Sequence, residues 1–328
     1  MEHIFYYIYC AGILGVKTNA ADFRWIYGSA APEASPEDYE KCVLKFDVCV
    51  VPEKHLTQPL ACDRRFQVFT WCDKTHTISF RRRFLRHIQT GYNICVSGNT
   101  VSAEIGRNYF KFIRLRMMNL HGVYYLLSDL ANMLLLKNGF LTLYASSAYY
   151  APTGKTVVCF APPNTGKTIT ALKLCDTYGY ALVGEDVVIT DGHRIYSCPW
   201  TCSYRKGNSR VDQAGSFGRA TRIPKQAFCD VCDLTNMAVL SLGPKDISME
   251  KQRIASRICT LNGYLFYYYA SPIIKILGYF DPEYCEPWEA KAEAMLGDMV
   301  RQTQCLFVQS EQPTDFYKMI QLEMEENG

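Results

Sequence analysis

The chain has 328 residues, enough for one large core or two modest domains. Hydrophobic residues make up 48% of it and charged residues 20%, a balance that excludes a disordered chain. Its 35 basic and 32 acidic residues leave a formal charge of only +3, so nothing in the composition calls for nucleic acid as a partner.

The N-terminal stretch "IFYYIYCAGILGV" is apolar over 13 residues, short of the roughly 20 that span a bilayer, and Glu2 precedes it where a signal peptide would carry a basic cluster. It reads as the start of a sheet over 4–17. The segment 28–42, "GSAAPEASPEDYEKC", is small, polar and proline-bearing and reads as a surface loop. Strands are expected over 42–51 and 65–71, and a mixture of strand and turn over 77–98. Within that mixture "RRRFLRH", 81–87, is the only dense basic cluster, and no recognised fold frames it for nucleic acid. The run "YYLLSDLANMLLL", 124–136, carries Asp129 and Asn132, so it reads as a buried helix and not a membrane span, closed near Lys137-Asn138-Gly139. A cytoplasmic location without membrane attachment is therefore expected. The fifteen cysteines are odd in number and spread over the chain, which favours reduced thiols over a disulfide framework.

From about residue 140 the pattern becomes regular. "FLTLYASSAYYA" gives one or two strands, Thr153-Gly154-Lys155 a turn, and "TVVCFA" another strand. "GKTITALKLCDTYG" follows as a helix with Ile169, Leu172 and Leu174 expected toward a sheet and Gly179 as its stop. "YALVGEDVVITDGHRIYSC" reads as strand, Asp191-Gly192 turn, strand. The stretch 201–222 is a polar, glycine-rich loop, and 237–243 a short strand. The tail alternates helical patterns with aromatic runs and ends in "QLEMEENG", expected to fray.

The chemistry-bearing motif is "APPNTGKT", 161–168. A phosphate loop works because successive backbone N–H groups and a helix N-terminus converge on anionic oxygens, a lysine reaches the terminal phosphates, and a Ser/Thr hydroxyl holds magnesium. Asn164, Thr165, Gly166, Lys167 and Thr168 occupy those places between an apolar strand and a helix. Ala161 replaces the usual first glycine, and Pro162 and Pro163 remove two N–H groups from the front of the loop. Glu185 and Asp186 lie eighteen and nineteen residues after Lys167, at the expected end of a strand returning beside the loop. A carboxylate there can hold Mg²⁺, and a second can accept a proton from an attacking hydroxyl. Adjacent strand residues face opposite sides, so both can serve only where the strand ends or bulges.

The segment 141–192 resembles the kinase core of HPr kinase/phosphorylase and the wider HPr-kinase-like group, related in fold to phosphoenolpyruvate carboxykinases. What carries the likeness is the coupling of the phosphate loop to "GYALVGEDVVI". The resemblance implies an α/β, PEP carboxykinase/HPr kinase-like phosphate-loop core with a mixed sheet, over 140–328 with a helical C-terminal tail. A smaller α+β region, 1–139, would precede it and take part in acceptor recognition. It implies ATP and Mg²⁺ as cofactors, Glu185 as the base toward the acceptor hydroxyl, and Asp186 with Thr168 on the metal. Four features depart from the family pattern: Ala161 for glycine, Tyr144 for a histidine, Glu185 for aspartate, and only an echo, "SFGRATRI", of the downstream glycine-rich signature. They fit a divergent kinase acting on a serine of a peptide or protein, or on a small molecule, better than a true HPr kinase. Arg219 and Arg222, in that echo, are the candidates to face the transferring phosphoryl. A nucleotide-binding regulatory module and a carboxykinase-like enzyme are the alternatives. Cys198, Cys202, Cys229 and Cys232 form two close pairs with the spacing of a structural zinc site, though a chain so rich in cysteine produces such pairs readily.

Overall fold

Side chains that alternate between apolar and polar commit the first hundred residues to sheet, and the computed structural model describes residues 3–21, 23, 25–28, 31–58, 63–84, 88–112, 123–198, 228–244, 246–248, 251–266 and 271–326. Strands β1 (Phe5–Tyr9) and β2 (Leu14–Thr18) pair antiparallel. Helix α1 (Pro36–Glu40) follows, inside the stretch expected to be loop. Its sequence held the signal: Ser35 caps the helix by accepting from the Asp38 N–H at 3.1 Å, Pro36 opens it, and two acidic residues fill the first turn. Next come β3 (Leu44–Val51), β4 (Arg64–Phe66) and β5 (Phe69–Cys72). The single strand expected at 65–71 is thus a tight hairpin, turning at Gln67 with φ 53°. Strands β6 (Thr77–Phe84), β7 (Ile88–Ser97) and β8 (Thr100–Gly106) lead to helices α2 (Arg107–Phe112) and α3 (Val123–Lys137).

Beyond Gly139 lie β9 (Leu141–Leu143), β10 (Ser146–Tyr150), β11 (Lys155–Phe160), α4 (Lys167–Tyr178), β12 (Ala181–Gly184), β13 (Val188–Thr190) and β14 (Arg194–Tyr196). The expected Asp-Gly hairpin joins β13 to β14, with Gly192 at φ 94°. The chain continues through β15 (Val231–Asp233), β16 (Asn236–Leu242), β17 (Asp246–Ser248), α5 (Lys251–Phe266), α6 (Pro272–Phe280), α7 (Trp288–Gln302), β18 (Gln304–Ser310) and α8 (Phe316–Glu326). Two corrections belong to this tail. "QCLFVQS" is an interior strand that the reading of the tail as helical passed over. The terminal segment expected to fray is largely α8, which buries Phe316, Met319, Ile320 and Met324.

The chain divides into two compact units: 1–26, 30–137 and 268–288 form one, and 27–29, 138–267 and 289–328 the other. In the first, eight strands form one sheet in the order β1-β2-β3-β8-β7-β6-β5-β4, with β2, β3 and β8 parallel to one another. Phe46, Val48, Ile78, Ile94 and Val101 are fully or almost fully buried and supply much of its core. Helix α3 packs against β3 and α6. The basic run at 81–87 is not uniformly surface: Arg81 is half-buried and donates to the carbonyls of Phe80, Tyr92 and Thr57, while Arg82 and Arg83 are exposed. Residues 85–87 lie outside the described ones.

The second unit holds a six-stranded mixed sheet, β12-β10-β11-β16-β18-β17, and a four-stranded antiparallel sheet, β15-β14-β13-β9. Strands β11, β16 and β18 are parallel, and β10 runs antiparallel between β11 and β12. Val157, Cys159, Ala238, Leu240, Leu306 and Val308 turn one face toward α4 and α8. On the opposite face α5 covers the alternate residues, with Arg257 lying 4.4 Å from the centroid of the Phe307 ring. Residue 169 corrects the expected helix face: Ile169 is 45% exposed, and Lys167, Thr170, Ala171 and Leu174 are the buried positions of α4. The structure is thus a mixed α/β fold with several sheets, and among the described residues no helix is long and apolar enough to cross a membrane.

One buried charge stands out in α3. Asp129 is 1% exposed, and neither carboxyl oxygen has a partner in hydrogen-bonding geometry among the described residues. Burial pushes its pKa up to about 8, and the nearby Ser271 hydroxyl offsets that only in part. A carboxyl whose folded pKa is raised binds its proton more tightly in the native state, so native stability is lost as pH rises from about 4 to about 8. The loss from this group alone is on the order of 5 kcal/mol at most. In denaturant unfolding at a series of pH values, Asp129→Asn is expected to remove most of this decline, so that the variant overtakes the parent at pH 8. Parallel curves for the two proteins would contradict it.

Candidate functional site

The apolar strand β11 is central in its sheet, and its C-terminal end delivers the loop 161–166 onto the first turn of α4. Pro162, Pro163 and Asn164 are exposed at the front of this loop, whereas Ala161 and Thr165 are buried at its base. Asn164 (φ 63°) and Gly166 (φ 119°) both take left-handed backbone, which bends the loop around its own amides. At Gly166 a side chain is excluded twice over: the φ suits only glycine, and a Cβ would lie 2.8 Å from the Cβ of Pro313.

Four of the five sequence-predicted cradle residues keep their N–H groups available. The N–H groups of Asn164, Gly166, Lys167 and Thr168 have no acceptor among the described residues, as the open end of a helix requires. The exception is Thr165, whose N–H donates to the Pro162 carbonyl at 3.3 Å. There the loop closes on itself. Thr168, half-buried on the first turn of α4, has no side-chain hydrogen bond among the described residues.

Lys167 is only 5% exposed. Its Nζ donates to the Ala161 carbonyl at 2.9 Å and sits 3.9 Å from the centroid of the Tyr144 ring. An ammonium over an aromatic face is held by the ring quadrupole, so tyrosine supplies a neutral partner for the charge. Tyr144 is itself fixed, since its backbone N–H donates to Asn262 Oδ1 of α5 at 2.8 Å. Burial lowers the Lys167 pKa, and the charge of Asp186, first among the groups that act against this, raises it again.

Strand β12 ends at Gly184, and Glu185 and Asp186 occupy the bend that follows. The strand therefore stops before the acid pair, and a register shift in β10 between Ser147 and Ala148 lies opposite. This lifts the restriction that neighbouring strand residues face apart. Glu185 is half-buried, and its carbonyl accepts from the Ser146 Oγ. Asp186 is exposed as a residue, yet its carboxyl end is crowded by protein atoms. That desolvation raises its pKa, and the Lys167 charge lowers it in part. The charges of Lys167 and Asp186 thus influence each other.

The arrangement can bind an anion on open amides and a buried ammonium, with a carboxylate beside it. Among the described residues no three His, Cys, Asp or Glu side chains converge to hold a metal unaided. A divalent cation here would have to share Asp186 and Thr168 with ligand oxygens and water, the usual manner for Mg²⁺. Arg219 and Arg222 lie outside the described residues, as does Cys202 of the four cysteines considered for zinc. Three contributors were not foreseen from sequence: Ser146 on the Glu185 carbonyl, Asn262 behind Tyr144, and Pro313 against Gly166. The first left a trace in the paired serines of an otherwise apolar strand; the other two are distant in the chain and left none. No protein-family model matches the chain, and no curated protein matches it either.

The acid-bearing bend depends on Gly184. A Cβ there would lie 2.3 Å from Cγ1 of Val188 and 2.7 Å from the Val187 carbonyl oxygen. Gly184→Ala is expected to cost about 1–3 kcal/mol in urea unfolding, because backbone must shift to admit the methyl group. An unchanged midpoint would mean that the bend is held elsewhere.

Proposed function

We propose that the second unit is an ATP- and Mg²⁺-dependent kinase core of the HPr-kinase-like kind, transferring the γ-phosphoryl to a hydroxyl of a peptide, a protein or a small molecule. The observation that carries the reading is a buried lysine, Lys167, at the start of a helix whose first amides have no acceptor among the described residues, electrostatically coupled to Asp186. An isolated buried cation is costly, and a fold retains one where an anion will meet it. The parallel β11–β16–β18 core with an antiparallel β10 before β12 fits the mixed sheet that the resemblance implies.

Each residue then has a role. The amides of Gly166, Lys167 and Thr168 receive phosphate oxygens at the N-terminus of α4. Lys167 exchanges the Ala161 carbonyl for phosphate oxygens while the Tyr144 ring stays behind it. Bound Mg²⁺ would neutralise charge developing on the phosphoryl oxygens. Thr168 and Asp186 are the residues that would hold it. Glu185 orients the acceptor hydroxyl and accepts its proton. Arg219 and Arg222 are proposed on the phosphoryl side through the sequence echo alone. A second reading, nucleotide binding without transfer, draws support from the front of the loop, where two prolines and the internally bonded Thr165 leave fewer donors than an all-glycine loop would offer.

Three variants separate these readings when fluorescent-nucleotide binding is measured beside ADP release and the phosphoryl mass increment of serine-containing peptides. Lys167→Ala is expected to weaken nucleotide binding and to lower transfer about a hundredfold or more. With Asp186→Asn, the gain in affinity that magnesium gives should disappear. Glu185→Gln should bind normally and lose transfer. Tight binding without turnover in the parent protein supports the regulatory reading. Binding that is indifferent to Lys167 contradicts both.

A further inference from the structure

Within the first unit, the face of the large sheet turned away from Phe46, Val48, Ile78, Ile94 and Val101 carries mostly polar side chains, which strand order brings together. Strand register sets them in two rows across five neighbouring strands. One row runs Asp47, Ser102, Cys95, Thr77, Cys72 from β3 to β5. The other runs Cys49, Glu104, Asn93, Ser79, Thr70. These rows line a cavity of about 470 Å³, together with Thr57, Gln58, Thr75, Trp71 and Ala103. The volume falls in the range of small-molecule sites, about 300–1,000 Å³.

The cavity's polar groups are held in place before any ligand arrives. Asn93 spends all of its amide on the protein: its Oδ1 accepts from Ser79 Oγ at 2.8 Å and Arg81 Nη2 at 2.7 Å, and its Nδ2 donates to Glu104 Oε2 at 2.7 Å and the Thr57 carbonyl at 2.9 Å. Glu104 also accepts from the Thr57 N–H at 2.9 Å and the Thr57 hydroxyl at 3.1 Å. Among the described residues three of the four lone-pair directions of that carboxylate are used, leaving one for a donor. The Thr77 hydroxyl donates to the Thr75 carbonyl at 3.1 Å and so presents its lone pairs. Thr70 and Ser102 hydroxyls have no partner among the described residues.

Charge selects the ligand further. Among the described residues the charged ones lining the cavity are Asp47 and Glu104, which disfavours an anion. Lys17 meets Asp47 at 2.7 Å, and the Arg81 guanidinium beside Asn93 balances Glu104, so a cation gains little. Fixed acceptors in an electrically balanced pocket call for a neutral molecule with several O–H donors. We infer that this cavity is a binding site for a small, neutral, hydroxyl-rich ligand of the sugar or cyclitol class. The site does not depend on the kinase reading, since none of its residues belongs to the phosphate loop.

Saturation-transfer NMR on the full chain tests it, with D-glucose, D-ribose and myo-inositol as probes and glucosamine and glucose 6-phosphate as charged arms. At least one neutral probe should receive saturation. The signal should vanish in Ser102→Phe, which fills the cavity from an exposed position. Affinity should fall about tenfold in Glu104→Gln, the loss of one hydrogen bond to a charged acceptor. Should Ser102→Phe fail to fold, Glu104→Gln decides alone. Silence from all neutral probes, transfer confined to a charged arm, or a signal indifferent to these substitutions would overturn the inference.

Discussion

The second unit is organised around one unfavourable placement: an ammonium group drawn out of water at the tip of a central strand. Burying such a charge without a counter-ion costs several kcal/mol. The protein offsets that with three partial solutions, namely the Ala161 carbonyl, the face of Tyr144, and the field of Asp186. None of them is a full ion pair in close contact, so Lys167 remains strongly attractive to an incoming anion. The same logic explains why Asp186 has a raised pKa although Lys167 is near, since partial burial outweighs an attraction acting at a distance.

The surrounding fold keeps these groups in register. Loop and acid bend belong to strands that run in the same direction with β10 between them, and Ser146, the first residue of β10, ties itself to the bend through the Glu185 carbonyl. Glycine is indispensable at two points, Gly166 for its backbone angle and Gly184 for its clearance. Packing from the far end of the chain completes the loop, with Pro313 and the start of α8 pressed behind Gly166. The loop 161–166 is therefore a local sequence whose shape is set by contacts some 150 residues away.

Much of this was legible in the sequence, and what was not has identifiable causes. The strand–loop–helix run at 155–178 and the Asp-Gly hairpin announce themselves because local turn chemistry and hydrophobic pattern agree. Strand β18 hid in the tail because a buried parallel strand lacks alternation and resembles a short piece of buried helix. Ile169 misled because the helix face was read from hydrophobicity, while α4 turns its small residues, Thr170 and Ala171, toward the sheet. The cavity of the first unit was invisible for another reason: the residues of its two rows look like ordinary solvent-facing alternation along each strand, and only strand order and register assemble them.

The central claim is that the amides at the start of α4, Lys167 and the acid bend surround one magnesium-bound triphosphate. A crystal structure of the full chain with Mg²⁺ and a non-hydrolysable ATP analogue tests it most directly. The account predicts Lys167 Nζ displaced from the Ala161 carbonyl onto the β- and γ-phosphate oxygens, with the metal between Thr168 and Asp186. An analogue bound elsewhere, or seated at the loop with Asp186 remote from its metal, would contradict it.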